Sequence, residues 1–182
     1  MPRPNQIRLL IADDHLVVRM GLRSMIDTQP DMVVAAEAAN GREAIESFRK
    51  ALAINPNDAQ AQSNLGVVLG RAGQLAEAVI HYRKAIQIEP GDALTQTNLG
   101  NTLSRLGEFP EAIQHFQEAL RISPNRVDAH VDWGAALLRQ GALDEAIDHF
   151  REALRISPNH PQALANLRLA RDLRQQRSSD KP

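Results

Sequence analysis

Apolar residues near the start of the chain come in short, nearly unbroken runs. Two such runs are Ile7–Ala12 and residues 32–36, and runs of this kind are typical of strands covered on both faces of a parallel sheet. Between them, apolar side chains recur at helical spacing as far as Ile26, and a second helix is predicted over Arg42–Ile54. The order strand, helix, strand, helix with short links predicts a right-handed βαβα unit with two parallel strands.

From residue 41 onward, helical patterns recur with a fixed period of 34 residues. Each period repeats a proline, two glycines, an alanine and a large aromatic residue. These positions are Pro56, Pro90, Pro124 and Pro158; Gly66, Gly100 and Gly134; Gly73, Gly107 and Gly141; Ala78, Ala112 and Ala146; and Tyr82, Phe116 and Phe150. The first glycine leaves room for a neighbouring helix, the second suits a left-handed C-cap, and the proline ends the second helix.

This pattern resembles the tetratricopeptide-repeat family, in which each repeat contains two helices. The resemblance implies three full repeats, at residues 59–92, 93–126 and 127–160. A capping helix is expected over Pro161–Gln176, because solenoids need a solvated end. We therefore expect an all-α solenoid over residues 57–176, a disordered tail at residues 177–182, and a protein that is mainly α overall.

The first 45 residues resemble a different family. The segment IRLLIADDHLVVRMGLRSMI, followed by VVAAEAANGREAI, is similar to the first quarter to third of a response-regulator receiver domain, which has a flavodoxin-like fold. The resemblance implies that Asp13 and Asp14 match the acidic pair that helps to hold Mg²⁺ in receivers. A receiver also needs a third strand bearing the phosphoryl-accepting aspartate, and later strands bearing Ser or Thr and Lys. None of these strands follows Ile45.

One predicted helix fits both patterns. Four residues in and after it are in register with the later alanine, aromatic, alanine and proline positions: Ala44, Phe48, Ala51 and Pro56. We therefore predict a receiver-like βαβ fragment at residues 1–40, a helix shared by both folds at residues 41–56, and the repeat array after it. We interpret the chain as a chimera engineered by splicing through this shared helix; a natural fusion is the alternative.

Composition and charge narrow the function classes. The formal net charge is −1 and cysteine is absent, so the chain has no field that attracts nucleic acid or an anionic membrane, and no thiolate chemistry. No apolar run approaches the ~20 residues of a membrane span, and the N-terminal residues lack the apolar core of a signal peptide. We expect a cytoplasmic protein. No catalytic order of residues or glycine-rich phosphate loop is found, so neither enzyme activity nor a cofactor is predicted.

Two sets of ionisable residues were candidates for metal chemistry. Asp13 and Asp14 offer oxygen ligands for Mg²⁺, but without a third carboxylate we predict no functional site. A two-component-type signalling module that retains Mg²⁺ and phosphate chemistry there is the alternative function, disfavoured because the acceptor strand is missing. His81, His115 and His149 recur every 34 residues. Successive second helices stand ~8–10 Å apart or more, so we attribute the recurrence to repeat duplication.

The resemblance to tetratricopeptide repeats also implies a peptide-binding groove lined by the first helices. Its candidate residues are Asn64, Arg71, Asn98, Asn101, Arg105, Asp132 and Arg139. Asparagine can donate to and accept from a peptide backbone, and arginine can pair with acidic groups. The basic clamp with which chaperone-binding members hold a C-terminal carboxylate is not matched. Its positions are occupied by Ser63, Val67, Asp128 and Asp132.

We therefore expect a protein-interaction scaffold with, at most, weak peptide binding in this groove; the alternative is that these polar residues only solvate it. The strand Ile7–Ala12 carries a further expectation. In a receiver this strand is central, so here one of its edges lacks a partner within the chain. We predict that this edge pairs with its copy in a homodimer, or is shielded by a helix or by the N-terminal segment.

Overall fold

In the computed structural model, residues 7–13 and 15–179 are described, and they form two short strands and a succession of helices. The chain divides into two units, residues 1–81 and residues 82–182. The elements are β1 (Ile7–Ala12), α1 (Leu16–Asp27), β2 (Met32–Ala38), α2 (Gly41–Ile54), α3 (Ala59–Arg71), α4 (Leu75–Ile88), α5 (Ala93–Leu106), α6 (Phe109–Ile122), α7 (Val127–Gln140), α8 (Leu143–Ile156) and α9 (Pro161–Ser179). The predicted fold class, a mainly α chain with a small parallel sheet at its start, is confirmed.

The first unit begins with the predicted parallel strand pair. β1 and β2 are aligned from Ile7 opposite Met32 to Ala12 opposite Ala38. The register shifts after Leu9, where β2 carries one extra residue, a β-bulge that adds local twist. Among the described residues, β1 is paired with β2 alone.

The apolar side of α1 is more exposed than its pattern predicts. Val18, Leu22 and Met25 share the predicted core face, yet they are 45%, 41% and 68% exposed. Ile7 on β1 is likewise 50% exposed, so the prediction that the first strand is covered on both faces is wrong at this end. The physical reason is that α1 contacts β1 and β2, but the described residues supply no further layer against its outer side.

The helix α2 lies at the junction of the two sequence patterns. It contacts β1, β2 and α3. Its start is fixed by two side chains: Asn40 accepts a hydrogen bond from the Glu43 backbone N–H (3.0 Å), and the Glu43 carboxylate accepts one from the N–H of Ala39 (2.8 Å). Its buried side chains include Ala44, Ile45 and Leu52.

The second unit is built of helix pairs arranged in two layers. α5 packs against α6, α7 against α8, and α8 against α9. The first helices of successive pairs also touch, α5 with α7 and α7 with α9, whereas no contact joins α6 to α8 among the described residues. Because α5, α7 and α9 approach one another more closely than α6 approaches α8, the first helices line the inner side of the layer.

The core of the second unit lies between these layers. One cluster surrounds Phe150, which is fully buried, and includes Leu137, Ile147 and Leu167. Gly134 packs so tightly on the Phe150 ring that a Cβ atom there would stand 2.6 Å from Cε1. The glycines that end α5 and α7 have φ values of 88° and 83°, as predicted for left-handed C-caps.

The final helix extends further than predicted. α9 ends at Ser179, so the segment expected to be a disordered tail from residue 177 begins within this helix, and residues 180–182 lie outside the described part. The last turns are held by side chains: Arg174 forms an ion pair with Asp144 at 3.0 Å, and the Ser178 hydroxyl donates to the Arg174 carbonyl. No helix in the described residues has the length and apolar character needed to cross a bilayer.

Candidate functional site

The inner side of α5 and α7 carries most of the residues predicted for the groove. We call this surface the inner face and define it by Asn98, Asn101 and Arg105 on α5 and by Asp128, Asp132 and Arg139 on α7. On each helix these residues are spaced three, four or seven positions apart, so they share one side. Asn98, Asn101 and Asp132 are half-buried, while Arg105, Asp128 and Arg139 are exposed.

Asp132 is held from the neighbouring helix. The side chain of Asn101 on α5 forms a hydrogen bond with its carboxyl group. Burial raises the pKa of Asp132, and nearby Asp128 raises it further, whereas the bond to Asn101 and the charge of Arg139 lower it. The half-buried carboxylate of Asp132 is thus bonded to a neutral amide. The carboxylate can therefore still bind another hydrogen-bond donor or a cation.

The other end of the inner face is basic. The Arg139 guanidinium donates to the Ser104 hydroxyl across the two helices at 2.7 Å. Burial lowers the pKa of Arg139, Asp132 raises it, and Arg105 lowers it again because two like charges lie near one another. Arg139 remains charged, since the pKa of a guanidinium lies far above neutral pH.

The two predicted groove residues of the first unit lie on α3. Asn64 is half-buried, and its side-chain oxygen accepts a hydrogen bond from Gln60 Nε2 at 3.1 Å, one turn earlier. Arg71 is exposed in the last turn of the helix. Each unit thus carries its own share of the predicted groove residues.

The acidic pair of the receiver-like segment is only partly described. Asp13 accepts a hydrogen bond from the His15 N–H at 2.7 Å, and its carboxylate lies 3.3 Å from the His15 ring. Asp14 lies outside the described residues, and the N-cap of α1 is His15. Within residues 7–13 and 15–179, no three His, Asp or Glu side chains are grouped as metal ligands.

The recurring histidines have partners that the sequence analysis missed. In the first unit, His81 Nδ1 lies 2.6 Å from the Gln62 amide oxygen, and in the second unit His115 Nδ1 lies 2.7 Å from that of Gln96. His149 instead meets His130, with 3.2 Å between their Nδ1 atoms. The signal was present in the sequence, because residues 62, 96 and 130 are equivalent positions occupied by Gln, Gln and His.

The histidine pair is buried enough to resist protonation. Burial lowers the pKa of His149 to about 4, with the neighbouring His130 as the second cause. Burial also lowers the pKa of His130, opposed by a hydrogen bond to the Pro124 backbone and by the charge of Glu152. Trp133 lies close by, its ring tilted by 32° to that of His149 with 4.0 Å between the ring centroids. We call this arrangement the histidine pair.

Family models match most of the helical part of the chain. Models described as tetratricopeptide repeat match residues 58–125 and residues 97–161. A further model, described as TPR repeat, matches residues 42–73. Their combined range begins inside α2.

Curated relatives match shorter stretches. The protein-glutamate methylesterase/protein-glutamine glutaminase 1 of Methanosarcina mazei is 36% identical over 66 residues, which is 36% of this chain and 18% of that protein. The transcriptional regulatory protein LiaR of Bacillus subtilis is 43% identical over 51 residues, or 28% of this chain and 23% of that protein. The chain thus spans about a fifth of the length of these relatives. Their partial matches are consistent with the receiver-like interpretation.

Solved structures share the helical fold. The crystal structure of MamA is similar with a TM-score of 0.68 and 23% identity, covering 76% of this chain and 81% of that one. The first TPR of Spaghetti (RPAP3) gives a TM-score of 0.60 and 24% identity, covering 63% of this chain and 91% of that one. At these identities the similarity establishes the fold.

Proposed function

Because residues 42–161 form an array of tetratricopeptide repeats, we propose that the chain is a non-enzymatic, cytoplasmic interaction scaffold that binds a peptide weakly on its inner face. The observation that carries this proposal is the arrangement of α5 and α7. Their apolar sides are used in the core, while half-buried amides and exposed charges stand together on the opposite side.

Two considerations support a peptide as the occupant. The first TPR of Spaghetti (RPAP3) was solved bound to the HSP90 peptide SRMEEVD, and we transfer only the binding of a peptide, without its sequence. Asn98 and Asn101 can each donate to and accept from a peptide backbone, which presents the same groups in every residue. Such contacts explain affinity that is modest and tolerant of sequence.

The test is a screen of a peptide array followed by measurement of the affinity of each binder. We expect Asn98→Ala to weaken binding by threefold to tenfold, because one hydrogen bond contributes about 0.5–1.5 kcal/mol. Gln117→Ala is the matched control, since this exposed amide lies on α6 in the other layer, and its affinity should equal that of the parent protein. Equal losses in both variants, or no binder at all, would contradict peptide binding on the inner face.

For the N-terminal part, we propose that residues 1–40 are a receiver-like fragment and that α2 serves both this fragment and the repeats. The contacts of α2 with β1, β2 and α3 support this role. Hydrogen exchange should show α2 opening together with α3; an α2 that opened with α1 alone would contradict it. We further propose an engineered origin for the junction, and finding the same junction in a chromosomal gene would contradict that origin.

We also propose that β1 pairs with its copy in a homodimer. Its support is the single pairing of β1 with β2 in the described residues, together with the exposed Ile7. Ile7→Lys is expected to give a monomer by light scattering at high concentration, because a lysine on an edge opposes strand pairing. Val17→Lys, at an 81% exposed position on α1, is the control and should remain dimeric. A monomeric parent protein would refute the dimer.

A further inference from the structure

The inner face of the second unit has charges of opposite sign at its two ends. Asp128 and Asp132 occupy the first two turns of α7, and Arg139 occupies its last turn. Asp132 and Arg139 are seven residues apart, which is two turns or about 10 Å along the helix. On α5, Asn101 lies beside the acidic end and Arg105 beside the basic end.

The acidic end of the inner face is suited to binding a cation. The Asp132 carboxyl is half-buried against α5, where the neutral Asn101 amide forms a hydrogen bond with it. Asp128, four residues earlier, is half exposed and pairs with Arg126 at 3.4 Å. A carboxylate taken out of water gains more from a charged donor than from an amide. A lysine or arginine side chain of a ligand supplies that donor.

The basic end of the inner face is suited to binding an anion. Arg139 is oriented by its hydrogen bond to Ser104, and Arg105 is near enough for its charge to act on Arg139. Two neighbouring guanidinium groups repel each other, so a carboxylate placed between them relieves the repulsion and accepts several N–H bonds.

Between its acidic and basic ends, the inner face carries a small side chain. Ala135 lies one turn after Asp132 and one turn before Arg139, and Val131 next to them is buried. A ligand backbone can therefore approach this stretch. In a polyproline II conformation, residues three apart point to the same side at about 9 Å separation, close to the spacing of the two charged ends.

We propose that this face selects an extended peptide that carries a lysine or arginine and, three residues away, an aspartate or glutamate. The basic residue lies over Asp128 and Asp132, and the acidic residue lies at Arg105 and Arg139. This inference rests on the proposed function, because it names the class of peptide that the inner face binds.

The experiment uses the full chain and five blocked peptides that differ only at the two positions: Lys/Glu, Glu/Lys, Lys/Gln, Gln/Glu and Gln/Gln. An extended peptide can lie in either direction, so we expect at least one mixed-charge peptide to bind fivefold or more tighter than Gln/Gln. Raising the salt concentration should remove most of this advantage, because exposed charges are screened.

Protein variants assign each charge. Asp132→Asn should abolish the gain from the lysine without changing the affinity for Gln/Glu, and Arg105→Gln, which leaves the Arg139–Ser104 bond in place, should abolish the gain from the glutamate. Asp148→Asn and Arg121→Gln, on α8 and α6, are the matched controls and should change nothing. If all five peptides bind equally, the charge selection is refuted while peptide binding stands. If none binds, the proposed function fails with it.

Discussion

Replacing Gly134 by alanine is expected to destabilise the second unit by about 2 kcal/mol, although alanine is the better helix former by ~1 kcal/mol. The added Cβ would lie 2.6 Å from Cε1 and 2.9 Å from Cδ1 of Phe150. Phe150 is fully buried among Leu137, Ile147 and Leu167, so a shift of the ring away from the new methyl group would disturb their packing. Urea denaturation followed by circular dichroism measures the loss.

A double-mutant cycle ties this loss to the ring. Phe150→Leu removes the ring atoms nearest the added methyl group, so the pair of substitutions should cost at least 1 kcal/mol less than the sum of the single ones. Gly21→Ala in α1 is the contrasting control: nothing lies within 4 Å of the new methyl group, and no loss of stability is expected. Additive single effects at Gly134 and Phe150 would show that the contact is not responsible.

Acid is expected to destabilise the second unit through the histidine pair. The pKa of folded His149 is about 4, below the ~6.5 of an unfolded histidine. Between these values the unfolded chain binds the proton and the folded chain does not. The stabilisation is therefore complete above about pH 6.5 and is lost as the pH falls toward 4, by roughly 2 kcal/mol between pH 7.5 and 5. His130 acts in the same direction because burial lowers its pKa as well.

His130→Gln tests this origin, because it recreates the Gln–His pairing seen at Gln96 and His115. An amide oxygen accepts from Nδ1–H whether or not the histidine is protonated, whereas two protonated histidines cannot hydrogen-bond to each other. Between pH 7.5 and 5, the free energy of unfolding of the variant should fall by about 1 kcal/mol less than that of the parent protein. Other charges that act on the two histidines are those of Asp148, Glu152 and Arg155. They are present in both proteins, so their contributions to the difference in pH dependence cancel.

His15→Gln serves as the control, since the His15 side chain is 74% exposed in the first unit. The part of the acid loss that depends on residue 130 should be the same in this background as in the parent protein. An acid loss of the same size in the parent protein and in His130→Gln would refute the role of the histidine pair.

The elements that could be predicted from the sequence have local causes. Gly107 and Gly141 ended their helices in the left-handed conformation because few other residues adopt it, and Asn40 and Glu43 fixed the start of α2 through bonds within four residues. Because the sequence repeats with a fixed period, a helix or turn predicted in one repeat is also predicted at the equivalent position of the next. The fold class therefore followed from the sequence.

What could not be predicted depends on groups far apart in the chain. The pattern of α1 gives the spacing of Val18, Leu22 and Met25 but carries no information about whether a second layer covers them. Similarly, the period places His130 at the position of Gln62 and Gln96, but its contact with His149 depends on how α7 packs on α8. The bond between Asn101 and Asp132 joins successive repeats and was missed for the same reason.

The two layers of the second unit differ in how they respond to force. Its first helices touch one another, while α6 and α8 do not, within the residues described. Bending that widens or narrows the gap between α6 and α8 breaks no close backbone approach between those two helices, so it is resisted through α7, which both of them contact. The width of that gap is therefore set by how α6 and α8 each pack on α7.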